Sequence, residues 1–130
     1  MASLKNFEDL DIWKDAIHLA KDVYVLTQKD VFEQNTVLRD QLRQISVAIS
    51  NHIADGFEYN SNHHFLKYLK MAKGDSGETR SMIALLHEIG YIELEEKEII
   101  SKQAQLLSNK IAGLIKFLDK PKSNTPSIPS

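Results

Sequence analysis

The chain has 130 residues, 42% of them hydrophobic and 26% charged, and it contains no cysteine. This composition is typical of one soluble globular domain, and the lack of cysteine excludes disulfides, thiolate metal sites and cysteine nucleophiles. The net charge of −2 argues against a protein built chiefly to hold nucleic-acid phosphates. Because neither a signal-peptide pattern nor a stretch of roughly 20 apolar residues is present, we expect a cytoplasmic protein without membrane contact.

The first helix is predicted over residues 10–28, after candidate caps at Asn6, Asp9 or Asp11 and an acidic segment that suits the positive end of a helix dipole. Two apolar stripes follow helical spacing along it. Together they cover a wider arc than one core face needs, which favours an oligomer interface in addition to a core. The stripes are Trp13, Ala16, Ile17, Ala20 and Tyr24, and Ile12, Leu19, Val23 and Leu26.

The second helix is predicted over residues 36–55, with Thr36 as its N-cap. Gly56 then stands where a left-handed residue commonly ends a helix, so we expect the helix to stop there. Its core stripe repeats at steps of three or four residues and consists of Leu38, Leu42, Ile45, Ile49 and Ile53.

The third helix is predicted to begin near Ser61 or Asn62 and to end at Gly90. Gly74 and Gly77 lie in its middle, and each glycine costs about 1 kcal/mol relative to alanine in a helix. Two interpretations stay open: one continuous helix, or a break into two helices at these glycines.

The fourth helix is predicted over residues 95–118, with a strict heptad repeat. Four amphipathic segments joined by short connections predict an all-α fold, an antiparallel up-down-up-down four-helix bundle over residues 1–119. Residues 120–130 hold all three prolines of the chain and are predicted to be a disordered tail. The heptad positions are Ile100, Ala104, Leu107, Ile111, Leu114 and Leu118.

Three motifs give the sequence a family resemblance over roughly residues 7–118. They are the Phe7-x-x-Leu10-x-x-Trp13 spacing, the segment from Gln41-Leu42-Arg43 to Ile53-Ala54-Asp55-Gly56, and Phe65-Leu66 leading to Ala72-Lys73-Gly74. With these, the chain resembles the four-helix-bundle family of 23S rRNA intervening-sequence proteins, which includes the accessory variability protein of diversity-generating retroelements. It departs from the family pattern at Gln44, His52, Asp55 and Asp75.

The resemblance implies a four-helix bundle that assembles into a ring-shaped homo-pentamer, in a family whose members generally have no known activity. It also implies structural roles for the family-motif residues of this chain. The retroelement relative partners a reverse transcriptase and nucleic acid through a basic surface, but the acidic balance of this chain removes the main physical support for that role. The family-motif positions are Trp13, Arg43, His52, Asp55, Gly56 and Gly74.

A basic strip on the second and third helices is the candidate site for an acidic partner or nucleic acid. Its members follow one another at helical steps, although acidic residues are interspersed among them, as on an ordinary solvated helix face. The strip consists of Arg39, Arg43, Lys67, Lys70, Lys73 and Arg80.

The histidines raise the question of a metal site, because imidazole and carboxylate groups bind zinc well. His63 and His87 are 24 residues apart, which is about 36 Å along one continuous helix, so they could meet only across a break or between subunits. His52 and Asp55 share a helix face, and we interpret them as polar contacts at the end of the second helix. No metal, cofactor or catalytic residue is predicted.

Three functions follow as hypotheses. The first is a non-enzymatic, homo-oligomeric bundle that binds protein partners or acts as a scaffold. The second is a nucleic-acid-associated accessory protein that uses the basic strip, which the net charge disfavours. The third is a metal-dependent enzyme built from the histidines, which the spacing disfavours.

Overall fold

Helices form almost the whole of the computed structural model, which describes residues 4–120. Two short 3-10 helices, Phe7–Asp9 and Asp30–Gln34, precede the first and second α-helices, and no strand is present in this range. The all-α prediction is thereby confirmed. The α-helices are α1 (Asp11–Leu26), α2 (Thr36–Glu58), α3 (Asn62–Glu88) and α4 (Leu94–Leu118).

The four helices form an antiparallel bundle. Each helix packs on the next in the chain, and α1 also packs on α4, which closes the bundle. Two contacts show that α2 and α3 are antiparallel. His52 meets Asp75, whereas Gly56, which is later in α2, meets Tyr68, which is earlier in α3. None of the helices described is both long and apolar enough to cross a membrane. The predicted tail, apart from Lys120, lies outside the described residues.

The core explains why α1 carries two apolar stripes. Ile12, Leu19 and Val23 of the second stripe are buried, and burying an aliphatic side chain of this size contributes roughly 1.5–3 kcal/mol. In the first stripe Ala16 is also buried, but Ile17 remains 41% exposed. The core therefore uses one stripe, and much of the other is left on the surface.

Two small polar side chains in the middle of the bundle are buried and donate hydrogen bonds to backbone carbonyls. Ser76 is fully buried on α3, and its hydroxyl donates to the carbonyl oxygen of Ala104 on α4 at 2.9 Å. Ser46 is buried on α2 and donates to the carbonyl oxygen of Arg43 at 2.9 Å. Because a buried hydroxyl is costly unless it is paired, these bonds allow helices to approach closely at polar positions.

Gly56 does not end α2, and the prediction that it would was wrong. The helix continues to Glu58, and the left-handed conformation occurs later, at Asn60 with φ 54°. Gly56 is instead buried at the α2–α3 contact, where an added Cβ would lie 2.7 Å from the Cβ of Tyr68. The position requires glycine because the two helices are too close for a side chain.

Other helix ends carry residues that are typical of helix caps. The side chain of Asn35, rather than the predicted Thr36, caps α2 by accepting a hydrogen bond from the backbone of Leu38 at 3.1 Å. Gly90, with φ +82°, follows the end of α3 as predicted. Between these ends α3 is continuous, and the break at Gly74–Gly77 does not occur.

Candidate interaction surfaces

The first polar surface joins α1 to α2, and we call Tyr24, Thr27 and Arg43 the arginine corner. The Arg43 Nε donates to the Thr27 hydroxyl oxygen at 2.7 Å, and the Thr27 hydroxyl donates to the carbonyl oxygen of Val23 at 2.8 Å. The Arg43 guanidinium carbon also lies 4.1 Å from the centre of the Tyr24 ring, within the range of a cation–π contact. Arg43 thus holds the end of α1 against α2.

The second polar contact joins α2 to α3. His52 Nδ1 is hydrogen-bonded to Asp75 Oδ2, and both side chains are largely buried. His52 does not lie at the end of α2, as its interpretation as a helix-end contact required, because the helix extends to Glu58; its polar contact is with Asp75 of the neighbouring helix α3. Asp55 is exposed on the surface of the same helix.

An aromatic stack, defined here as Tyr59, His64 and Tyr68, lies where α2 turns into α3. The Tyr59 ring lies 4.6 Å from the His64 ring and 5.5 Å from the Tyr68 ring, nearly parallel to both. Interaction with the Tyr59 side chain raises the pKa of Tyr68, and the nearby charge of Asp55 adds to the effect. Tyr59 is 54% exposed, so the stack is open to solvent.

Sequence reasoning missed this stack because it considered only the adjacent histidines His63 and His64. A signal for it was present: Tyr59 is the first residue of a three-residue connection, 59–61, and His64 and Tyr68 follow in the first turns of the next helix. His64 and Tyr68 are also one helical turn apart and therefore share a face. A short turn between antiparallel helices brings such residues together.

The structure divides the predicted basic strip. Arg43 points to α1, and Arg39 forms an ion pair with Asp40 at 2.9 Å, so neither belongs to an open basic surface. The remaining four residues are exposed on α3, and no ion pair is found for them within residues 4–120. They are Lys67, Lys70, Lys73 and Arg80.

The histidines that suggested a metal site are not brought together. Because α3 is one continuous helix, His63 and His64 lie at its start and His87 at its end. Across the part of the chain that the structure describes, no three His, Asp or Glu side chains are grouped so that they could hold a metal ion.

Large apolar side chains are exposed on all four helices, including one face each of α1 and α4. Ile17 and Tyr24 are seven residues apart and share a face of α1, and the Tyr24 ring meets Arg43 of α2. Val47, one turn after Arg43, is also exposed. Ile99 and Leu106 on α4 are exposed seven residues apart, so they share a helix face. The predicted surplus of apolar surface on the first helix is therefore present in the single chain, and α4 adds a second face.

Ion pairs tie the remaining elements together. Lys29, just after α1, contacts Glu96 at 2.8 Å, and Lys110 on α4 contacts Asp15 on α1 at 2.7 Å. Partial burial works to raise the pKa of Glu96, but the hydrogen bonds from Lys29 and the Glu93 backbone outweigh it and hold that pKa below its usual value. Asp15 correspondingly raises the pKa of Lys110.

Two of the family-motif positions have simple environments. Trp13 is partly buried on the core and meets the ring of Phe7 edge-on, with ring centres 5.3 Å apart. Gly74 faces outward, and a Cβ added there would meet nothing within 4 Å. A close approach within this chain therefore does not explain the glycine at position 74.

Comparison with known proteins identifies related sequences and a related fold. A family model described as 23S rRNA-intervening sequence protein matches residues 8–113. The crystal structure of a protein of unknown function from the S23 ribosomal protein family of Bacteroides thetaiotaomicron is similar, with a TM-score of 0.74 and 19% sequence identity over 81% of this chain and 98% of that chain. At this identity the likeness shows the fold. No curated protein matches.

Proposed function

Because the chain belongs to the 23S rRNA-intervening sequence protein family, we propose that it is a non-enzymatic bundle that assembles into a ring-shaped homo-pentamer. In this proposal it acts in the cytoplasm as a protein-binding or scaffolding module. The pentamer comes from the family resemblance. The similar protein of known structure is itself described as having unknown function.

The exposed apolar stripe of α1 is the observation that carries the proposal. Ile17 is 41% exposed, although it belongs to a stripe with helical spacing that is buried in the core at Ala16 and covered by Arg43 at Tyr24. Apolar residues arranged in this way on the surface of a small protein are typical of a subunit contact. The second exposed face, at Ile99 and Leu106 on α4, supports a ring, because a ring joins two different surfaces of each subunit.

Sedimentation of the full chain at micromolar concentration tests the assembly. We expect a species of about five times the chain mass of 14.8 kDa. Replacing Ile17 by Glu places a charge in the proposed contact and should shift the population to smaller species. The matched control is Val37→Glu, at a position that is 76% exposed at the start of α2. A wild-type monomer, or full assembly of the Ile17→Glu variant, would contradict the proposal.

A second candidate function is association with nucleic acid through the part of the basic strip on α3. The specific observation is that Lys67, Lys70 and Lys73 are exposed at successive steps of three residues, without an ion pair in the described part of the chain. Such cations are available to neutralise phosphates. The negative net charge and the loss of Arg43 from the strip make this the weaker candidate.

Binding of a fluorescent single-stranded RNA at two salt concentrations tests this alternative. Three phosphate contacts predict that affinity falls about 20-fold between 50 and 200 mM salt. Replacing Lys67, Lys70 and Lys73 by Gln should abolish most of this dependence. The same change at Lys102 and Lys116, which are exposed on α4, is the control. Absence of binding at 50 mM salt would remove the alternative.

A further inference from the structure

We propose that the aromatic stack and the carboxylates beside it form a docking surface for an arginine-bearing segment of a partner protein. The inference rests on the proposed protein-binding function and names the chemistry of the partner, but it does not require the pentamer. Its members are Tyr59, His64, Tyr68, Asp55 and Glu58.

The arginine corner shows, within the same molecule, what an exposed tyrosine of this bundle binds. Tyr24 is 52% exposed, and its ring is covered by the Arg43 guanidinium at 4.1 Å. Tyr59 is 54% exposed, and across residues 4–120 no lysine or arginine is found over its ring. Tyr24 has its cation within the chain, whereas Tyr59 belongs to a stack with His64 and Tyr68 whose solvent-exposed part has none.

The charges around the stack favour a cation. Asp55 and Glu58 are exposed in the last turn of α2, which contains no basic residue. A helix C-terminus already carries partial negative charge, so acidic residues there are unfavourable for the helix itself. By contrast, α3 has His87 and α4 has Lys116 in the last turn. The end of α2 therefore places two carboxylates beside the exposed aromatic rings, against the single positive charge of Lys67 next to Tyr68 on α3.

Arginine fits this surface better than other cations. Its guanidinium is flat, stacks on aromatic faces and can donate two hydrogen bonds to one carboxylate at the same time. Tyr59 is also held by its own neighbours, because its ring is stacked on His64 and Tyr68. A preorganised aromatic side chain loses little conformational freedom on binding, which is a feature of residues that dominate protein interfaces.

Titration of the full chain with a short peptide tests the proposal, with two arginines separated by glycine as the probe. The same peptide with citrulline, which is neutral, is the reference. We expect saturable binding of the arginine peptide at 150 mM salt, at least about tenfold weaker binding of the citrulline peptide, and NMR shifts that concentrate at residues 55–68. Equal binding of the two peptides, or shifts centred elsewhere, would overturn the proposal.

Matched variants localise the effect. Tyr59→Leu keeps an apolar side chain but removes the ring and should weaken peptide binding about fivefold, whereas Tyr24→Leu, whose ring is already occupied by Arg43, should leave it unchanged. Glu58→Gln should weaken binding about twofold, and Glu88→Gln, at the last position of α3, should have no effect. Far-UV circular dichroism confirms that each variant is folded. Equal effects of Tyr59→Leu and Tyr24→Leu would overturn the proposal.

Sedimentation of the Tyr59→Leu variant separates this inference from the proposed assembly. We expect the variant to sediment as the wild type does. Loss of assembly in this variant would instead show that a second copy of the chain occupies the stack, and would overturn the docking of another protein. A wild-type chain that assembles but does not bind the peptide contradicts this inference alone. A monomer that binds the peptide contradicts the pentamer alone.

Discussion

Two exposed tyrosines on opposite flanks of α2 have nearly equal exposure but different surroundings. Tyr24 is 52% exposed and Tyr59 is 54% exposed. The chain supplies Tyr24 with a guanidinium, whereas it surrounds Tyr59 with other rings and with carboxylates. Exposure alone therefore does not distinguish a completed internal contact from an available surface. The charge that the chain itself places beside each ring makes the distinction.

The two flanks are also held together by different forces. At the arginine corner, a charged side chain reaches between helices and is fixed by a hydrogen bond to a buried threonine. Below the aromatic stack, the helices approach until a glycine is required at position 56. The first flank depends on polar geometry and the second on steric fit. Substitutions at the two flanks should therefore lower the free energy of unfolding by different amounts.

The largest effect is expected at the steric flank, from Gly56→Ala. The added Cβ would lie 2.7 Å from the Tyr68 Cβ, so the helices must separate, and we expect a loss of about 2 kcal/mol in the free energy of unfolding by urea denaturation. Gly77→Ala is the control, because a Cβ there meets nothing within 4 Å and alanine should gain up to about 1 kcal/mol. Equal stability of the two variants would refute the steric account.

The polar flank should respond less, and Arg43→Met measures it. This change keeps much of the side-chain volume but removes the hydrogen bond to Thr27 and the cation over Tyr24. We expect a loss of about 1.5 kcal/mol in the same denaturation assay. Arg39→Met, which removes only an exposed ion pair with Asp40, should cost less than about 0.5 kcal/mol. A loss no larger than this control would show that Arg43 does not hold α1.

The pair of His52 and Asp75 should give a smaller effect on the steric flank. Its side chains are only 24% and 17% exposed, so we expect His52→Ala to lose about 1 kcal/mol in unfolding free energy. A double-mutant cycle with Asp75→Ala isolates the pairwise contribution. His18→Ala, at an exposed position of α1, is the control. A coupling energy near zero would mean that close helix packing alone holds this flank.

The smallest effect is pH-dependent and concerns a contact outside both flanks, the ion pair between Lys29, just after α1, and Glu96 on α4. Because the pKa of Glu96 is held below its ordinary value of 4.5, its contact with Lys29 stabilises the folded chain above about pH 4.5 and is lost as the pH falls through the lowered pKa. Lys29→Gln should therefore cost about 0.5 kcal/mol at pH 7, and this cost should shrink as the pH falls below 4.5 through the lowered pKa of Glu96, measured by thermal unfolding. Lys102→Gln is the control. A cost that does not depend on pH would contradict the assignment.

The fold could be predicted because hydrophobic periodicity is a local property. The steps of three and four residues on α2 predicted five core residues. Leu42, Ile49 and Ile53 are buried, whereas Leu38 and Ile45 are half-buried. Gly56 was misinterpreted because a glycine that ends a helix and one that allows two helices to touch look the same in the sequence. Only the packing of Tyr68 against that position distinguishes them.

The surfaces were harder to predict because they depend on which helices become neighbours. Arg43 was assigned to a basic strip with Lys67, but its side chain binds Thr27, which is 16 residues earlier in the chain. The aromatic stack likewise forms only after α2 and α3 turn back on each other, so that Tyr59 meets His64. Spacing along one helix cannot show either contact.

The hydroxyl of Ser76 joins α3 to the backbone of α4 rather than to one of its side chains. The bond to the Ala104 carbonyl oxygen is 2.9 Å long, so the two helices must lie close enough for the short side chain of serine to span the gap between them. Because helix carbonyls recur every turn, the bond constrains the distance between α3 and α4 more than their axial register. The thickness of the bundle on this side therefore depends on a small, fully buried polar residue.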